Sequence, residues 1–392
     1  MTESSKSIYT LQFGLVCTSS FLFSASFNML IPELPAYLTA MGGAGYKGLI
    51  IALFTLTAGI SRPFSGKLTD TIGRVPVMAV GSIVCFICGF LYPILTTIAG
   101  FLFLRLIHGF STGFKPTATA AYVADLVPKN RWGEAMGVHG VCFSTGLAIG
   151  PAIGSTITAH FSIDVLFYCS SLFALMSILI LANMKETLPD KQRFTLAHLK
   201  IKRNDIIEWQ VIPASIIIFM SYISYGAILT VVGDWSQHLG TTNKGLFFVV
   251  FTITSLLIRF VAGKASDQYG RMIILKISLG LLAVAVFWIG FAHNAFSLMA
   301  ASALYGIATG MLSPTATAWT IDLSNPDHRG KAMATMYIAL EAGIGIGALL
   351  AGWIFISDFS MIPRIFYCCT GITILALFYL QVIYKAKSPV IT

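Results

Sequence analysis

The chain reads as a succession of apolar runs broken by short polar stretches, each run about 20 residues long. That is the length an α-helix needs to cross a hydrocarbon core of about 30 Å. The pattern predicts twelve spans, near residues 11–33, 46–65, 76–96, 98–123, 133–158, 163–184, 209–232, 244–262, 272–292, 295–320, 331–356 and 361–384. Alternating segments of about ten residues, the mark of a membrane β-barrel, do not recur. The fold class expected is an all-α polytopic membrane protein. The longest polar stretch carries Lys185, Lys191, Arg193, Lys200, Lys202 and Arg203, between spans six and seven. It divides the chain into an N-terminal six-helix half over 1–184, a cytoplasmic linker over 185–208 and a C-terminal six-helix half over 209–392. The run from Leu11 to Pro32 exceeds a signal-peptide core and has no small-residue cleavage site, so it is expected to stay as the first membrane helix.

Composition removes the competing classes. The 392 residues are 56% hydrophobic and 10% charged, with a mean hydropathy of +0.81, which fits neither a soluble globular domain nor a disordered chain. The net charge of +9 does not indicate a nucleic-acid partner, because the basic residues sit at the ends of the apolar runs. Placing the N-terminus inside puts 18 of the 25 Lys and Arg on the cytoplasmic side, leaving Lys47, Lys244 and Arg364 outside. Arg62, Arg105, Lys115 and Arg259 fall within spans. Both termini are therefore expected in the cytoplasm. All seven cysteines lie in apolar stretches, and Cys85-x-x-Cys88 has no second pair, so neither a metal nor a redox site is expected. No Walker motif and no catalytic constellation occurs, so neither direct use of ATP nor an enzyme is expected.

Displacing the sequence against itself by 197 residues aligns the two halves. Lys47-Gly48-Leu49 meets Lys244-Gly245-Leu246, Arg62 meets Arg259, and Gly66-Lys67 meets Gly263-Lys264. Asp70 meets Asp267, Gly73-Arg74 meets Gly270-Arg271, Asp125 meets Asp322, and Gly146 and Gly150 meet Gly343 and Gly347. Such a parallel repeat predicts a pseudo-two-fold along the membrane normal, with a midplane site between the halves.

The residues Gly66-Lys67-Leu68-Thr69-Asp70-Thr71-Ile72-Gly73-Arg74 resemble the motif between helices two and three of the major facilitator superfamily. The resemblance covers the whole chain. Thr71 and Val75 stand where basic residues are usual, which thins the positive cluster. Arg105-Leu106-Ile107-His108-Gly109 is similar to the fourth-helix motif, with His108 in place of the common Gln. Gly137, Gly146, Gly150-Pro151 and Gly154 resemble the fifth-helix motif of proton-coupled drug antiporters, with Ser155 replacing the final Gly. The second half has Ala348 where that proline would be. The resemblance implies a twelve-helix secondary transporter similar to the drug:proton antiporter family, which exports a small organic molecule by alternating access. Its partners would be a small-molecule substrate, protons and the lipid bilayer of a cell membrane of the bacterial inner-membrane kind. It would work as a monomer and without a cofactor. A proton symporter importing a nutrient and a non-transporting receptor or scaffold are the alternatives.

Candidate residues follow from placement and from the resemblance together. Asp70 and Asp267 are expected as cytoplasmic gate latches, Asp70 against the N-terminus of helix eleven by resemblance. Arg74 can reach Asp125, and the repeat extends this to Arg271 and Asp322. Gly146, Gly150 and Gly154 recur every four residues and form one close-packing face, with Pro151 bending the helix. That face is expected against helix eight, sealing against proton leak. Arg105 lies inside span four, where a cation costs about 2.5–3.5 kcal/mol on insertion scales. His108, Thr112 and Thr119 share its helical face, which is expected to look into a wet cavity. Lys115 either shares that cavity or snorkels towards the cytoplasm. Asn28, Tyr222, Tyr225, Tyr305 and Tyr337 are further cavity candidates. The positive face favours neutral, zwitterionic or carboxylate-bearing substrates over purely cationic ones. Glu341 lies ten residues into span eleven, about 15 Å along an ideal helix and so near mid-membrane. Tyr337 precedes it by one turn. Glu341 is the expected proton carrier, with Arg105, Glu33 and His108 as further coupling candidates. A structural carboxylate or a counter-ion for a cationic substrate are the alternatives for Glu341.

Overall fold

The computed structural model describes residues 9–128, 131–200, 207–324, 329–355 and 358–384. Among them there is no strand, and the α-helices in chain order are α1 (Leu11–Asn28), α2 (Leu34–Ala40), α3 (Lys47–Thr71), α4 (Arg74–Leu91), α5 (Ile98–Leu126), α6 (Trp132–His160) and α7 (Ile163–Ala182). The series continues with α8 (Ile212–His238), α9 (Leu246–Tyr269), α10 (Arg271–Phe291), α11 (Ala295–Leu323), α12 (Arg329–Ile354) and α13 (Ile362–Phe378). Each expected span falls on one of these helices; α2 is the additional short one, so spans two to twelve are α3 to α13. Span one ends at Asn28 rather than near residue 33, where Pro32 and Pro35 remove two backbone donors that a continuing helix would need.

Local chemistry sets the helix ends. Thr10, Thr97, Ser162 and Asn294 each accept a backbone N–H from three residues on, at 3.2, 3.1, 3.3 and 2.8 Å, capping α1, α5, α7 and α11. The tight α3–α4 and α9–α10 connections turn on Gly73 (φ +124°) and Gly270 (φ +88°), backbone conformations that a side chain would strain. In the loop before α13, the Ser360 hydroxyl and N–H hold the Asp358 carboxyl below the usual carboxylate range.

Among the described residues, nine helices are long and apolar enough to cross a membrane. Of the other long ones, α1 and α5 depart because of the polar side chains they carry. The α1 helix carries Ser19, Ser20, Ser24 and Ser26, and α5 carries Arg105, His108 and Lys115. In α9 the described apolar stretch is Leu246–Arg259. Large apolar side chains such as Leu172 (53% exposed) and Leu257 (66%) face outwards, as expected of a surface solvated by lipid. The chain is a multi-pass membrane protein.

The chain divides into two compact units, Met1–Tyr37 with Leu56–Lys202, and Leu38–Thr55 with Arg203–Thr392. In the first, Phe13, Val16, Leu68, Val77, Met78, Tyr122 and Leu181 join α1, α3, α4, α5 and α7 in one core cluster. The Tyr122 hydroxyl ties Gln12 (2.8 Å) to the Lys185 carbonyl (2.9 Å) at its edge. In the second, the start of α3 packs on α8 and α12: Lys47 pairs with Asp234 at 2.8 Å, and Gly48 lies against the backbone of Ala348 and Leu349.

Candidate functional site

In the first unit, α1 and α7 run antiparallel and are joined by two reciprocal serine pairs. Ser26 and Ser170 each donate to the other's carbonyl at 2.8 Å. One heptad away, Ser19 donates to the Ser177 carbonyl at 3.2 Å and Ser177 to the Ser19 carbonyl at 3.0 Å. Hydroxyls that satisfy backbone of a neighbouring helix let the two helices approach closely in an apolar medium.

Each pair meets a polar side chain from α5. Lys115, 1% exposed, donates to Ser19 Oγ (2.8 Å), the Ser19 carbonyl (3.1 Å), Ser82 Oγ (3.0 Å) and Ser177 Oγ. Its ammonium also stands 4.8 Å from the centre of the Phe23 ring. Gly81 of α4 makes this approach possible, since a Cβ there would lie 2.7 Å from Lys115 Cβ. Around the other pair, Ser26 Oγ lies 3.3 Å from Cys85 Sγ, which lies 3.2 Å from His108 Nε2. His108 Nδ1 is 3.1 Å from the Tyr92 hydroxyl, to which Arg105 Nη1 donates at 3.4 Å. Arg105 and His108 are 2% and 0% exposed. The structure thus brings Arg105, His108 and Lys115 together inside the first unit, against α1, α4 and α7, rather than onto a solvated face. Thr112 is turned to the Gly109 carbonyl of its own helix (3.1 Å), and Asn28 to the Ser24 carbonyl (2.8 Å).

The glycine face of α6 packs on α1. A Cβ at Gly146 would lie 2.6 Å from the Phe21 carbonyl oxygen, and one at Gly150 2.9 Å from that of Ala25. One at Gly154 would fall on the Met29 carbonyl. Gly137 has open space around it and lies apart from this face. Pro151 sits inside α6. Where the resemblance expects a final glycine, Ser155 donates to Glu33 Oε1 at 2.7 Å, and Glu33 is buried. Nearer the other end of α6, His139 Nε2 lies 2.9 Å from Ser20 Oγ.

Both motif loops build the same charged cluster. Arg74 pairs with Asp70 (3.1 Å) and Asp125 (3.0 Å), while Arg271 pairs with Asp267 and with Asp322 (3.0 Å). Asp70 and Asp267 are the exposed members, at 74% and 68%. The first cluster has an addition the second lacks among the described residues. Glu186 accepts the N–H groups of Arg74 (3.0 Å), Val75 (3.1 Å), Thr187 (2.9 Å) and Leu188 (2.9 Å). Asp125 also accepts from Thr187 Oγ1 at 2.7 Å.

In the second unit, Tyr222, Tyr225, Phe251 and Tyr305 form a chain of rings with centroids 6.0, 5.9 and 5.6 Å apart. Tyr305 hydroxyl lies 3.1 Å from Ser224 Oγ. Tyr222 bonds Ser313 and is within electrostatic reach of Arg259, Tyr337 and Glu341. Glu341, on α12, is 8% exposed. On the same helix, Gly343 and Gly347 lie against the backbone of Phe219 and Ile223 in α8, the counterpart of the α6–α1 packing. Among the described residues, no three His, Cys, Asp or Glu side chains converge to hold a metal ion.

Sequence reasoning singled out the charges but missed Ser19, Ser26, Ser82, Ser170, Ser177, Tyr92, Cys85, Glu186 and His139. One signal was available: the serines of α1 and of α7 are each seven residues apart, a spacing that returns to the same helix face.

A family model described as Major Facilitator Superfamily matches residues 16–212 and 214–391. The chain is 25% identical to the multi-drug resistance efflux pump PmrA homolog of Lactococcus lactis subsp. lactis (strain IL1403), covering 85% of this chain and 86% of that relative. It is 24% identical to the quinolone resistance protein NorA of Staphylococcus aureus (strain COL), covering 89% and 90% respectively. The crystal structure of a D-xylose-proton symporter superposes with a TM-score of 0.76 at 18% identity, over 95% of this chain and 98% of that one; that likeness is one of fold.

Proposed function

This chain belongs to the Major Facilitator Superfamily, and from that premise we propose that it is a secondary active transporter exporting a small organic molecule, a drug or a metabolite, in exchange for protons. The observation that carries the reading is Glu341, a buried carboxyl on a membrane-spanning helix, within electrostatic reach of Tyr222 and one helical turn after Tyr337. A carboxyl so placed is costly to keep unless it serves a charge-moving step, and hydroxyls can bond both its protonated and its ionised form. The efflux pumps among its relatives support export as the direction.

Around that step the other candidates take distinct roles. Arg74 with Asp70 and Asp125, and Arg271 with Asp267 and Asp322, act as cytoplasmic latches that break when the gate opens. The tyrosines of the second unit line the substrate path. Arg105 and Lys115, both engaged inside the first unit, carry no preference for anionic substrates. The protein works as a monomer in the cell membrane with both termini in the cytoplasm.

The test is purified protein in vesicles loaded with a pH-sensitive dye, challenged from outside with a small chemical panel. Downhill entry of a substrate in exchange for protons makes the lumen more alkaline. Acidification would instead establish a symporter, and absence of any proton movement across the panel would contradict coupled transport.

A further inference from the structure

We propose that Lys115 and Ser82 form a second proton-exchanging site, buried in the first unit and independent of any carboxylate. The inference rests on the reading of the chain as proton-coupled, and deepens it.

A buried ammonium ordinarily has an anionic partner, because an uncompensated charge in an apolar interior is expensive. Among the described residues Lys115 has none: its polar partners are three serine hydroxyls and one carbonyl. The groups that face it from each packed helix can be named. From α1 come Ser19 and the Phe23 ring, and from α7 Ser177, none of which titrates. From α4 come Ser82 and, within electrostatic reach, Cys85. From α6, His139 is within electrostatic reach and bonds Ser20, the residue next to Ser19. Arg105 and His108, on α5 itself, are engaged with Tyr92 and Cys85.

The hydrogen accounting separates a proton site from a mere strut. Ser19 and Ser177 each have the other's carbonyl as acceptor for their own hydroxyl hydrogen, so both present lone pairs to Nζ and suit the ammonium. Ser82 differs. Among the described residues its hydroxyl has no bond other than that from Lys115, so its hydrogen is uncommitted. A serine hydroxyl is both donor and acceptor. Ser82 can therefore accept from the ammonium or, after rotation, donate to the lone pair of the neutral amine. The cradle holds both protonation states with one hydroxyl turning over. On discharge, Nζ gives up one proton, which passes to water with His139 as the neighbouring base, and the Ser82 hydrogen takes the vacated direction.

The site is read directly by nitrogen NMR of the full-length protein with 15N-labelled lysines in lipid nanodiscs, scanned from about pH 5 to about pH 9. Exposed lysines, with an ordinary pKa of about 10.4, remain ammonium over that range. The expected result is one ζ-nitrogen signal that converts between ammonium and amine and is absent in Lys115→Arg. Ser82→Ala should displace that conversion to more alkaline pH by about tenfold in proton affinity, because the amine loses its donor while the ammonium keeps three other oxygens. A Lys115 signal that stays ammonium throughout in the native chain overturns the proposal, and so does a conversion that Ser82→Ala leaves in place. Neither readout requires turnover. A chain that exports against a gradient while Lys115 stays charged refutes this site alone, and a Lys115 that converts in a chain moving no protons across the membrane refutes the transport reading.

Discussion

Each ionisable side chain buried in a lipid-spanning helix must be accounted for by its neighbours, because insertion alone costs about 2.5–3.5 kcal/mol per charge. Arg105 has Tyr92, Lys115 has its serines, Glu341 is within electrostatic reach of Tyr222, and Glu33, in the turn between α1 and α2, has Ser155. Glu341→Gln keeps the shape and removes the proton. We expect it to abolish transport driven by a pH gradient while leaving downhill substrate exchange within about threefold of normal, a retained difference of under ~1 kcal/mol. Paired uphill and exchange assays on the same vesicles check this. The charges were legible because Arg, Lys and Glu stand out in an apolar run. Their partners were not. Serine is common in membrane helices, and which serines meet is decided by how α1, α4, α5 and α7 pack, a tertiary fact that no local pattern carries.

At the scale of the element, the α6 glycines act through what a side chain would strike. Gly150→Leu would drive a side chain into the α1 backbone at Ala25 and should destabilise the protein by about 1–3 kcal/mol, seen as a lower melting temperature in detergent. Gly137, with open space around it, provides the contrast. Gly137→Ala should be neutral or raise stability by up to about 1 kcal/mol, since glycine is a poor helix former. The four-residue spacing made the face legible, and within its own unit that face meets α1, a partner that no local pattern names. A helix end shows the same limit. Glu186 collects four backbone N–H groups at the start of α4 and the nearby chain, although it is 112 residues from Arg74. Glu186→Ala should cost about 1–2 kcal/mol as a lost cap does, with faster amide hydrogen exchange at Arg74 and Val75 than at the middle of α4.

Over the whole molecule, the internal repeat was the most legible feature, and it holds at atomic detail: Asp70–Arg74–Asp125 and Asp267–Arg271–Asp322 are built alike, with Arg74–Asp125 and Arg271–Asp322 both at 3.0 Å. Among the described residues the repeat is not complete, because Glu186 and Thr187 reinforce the first cluster. Asp70→Asn should therefore increase labelling of cytoplasmic-side cysteine probes and lower transport more than Asp267→Asn does. Equal effects would mean that the reinforcement is irrelevant to gating. The central claim, that substrate leaves in exchange for protons through Glu341, has one direct measurement. Vesicles carrying the protein are equilibrated with a transported compound at equal concentration on both sides, and the lumen is then made acidic relative to the outside. An antiporter lets protons out and accumulates the compound in the lumen, and Glu341→Gln should erase that accumulation. Depletion of the compound from the lumen, or an accumulation that survives in Glu341→Gln, would contradict the account.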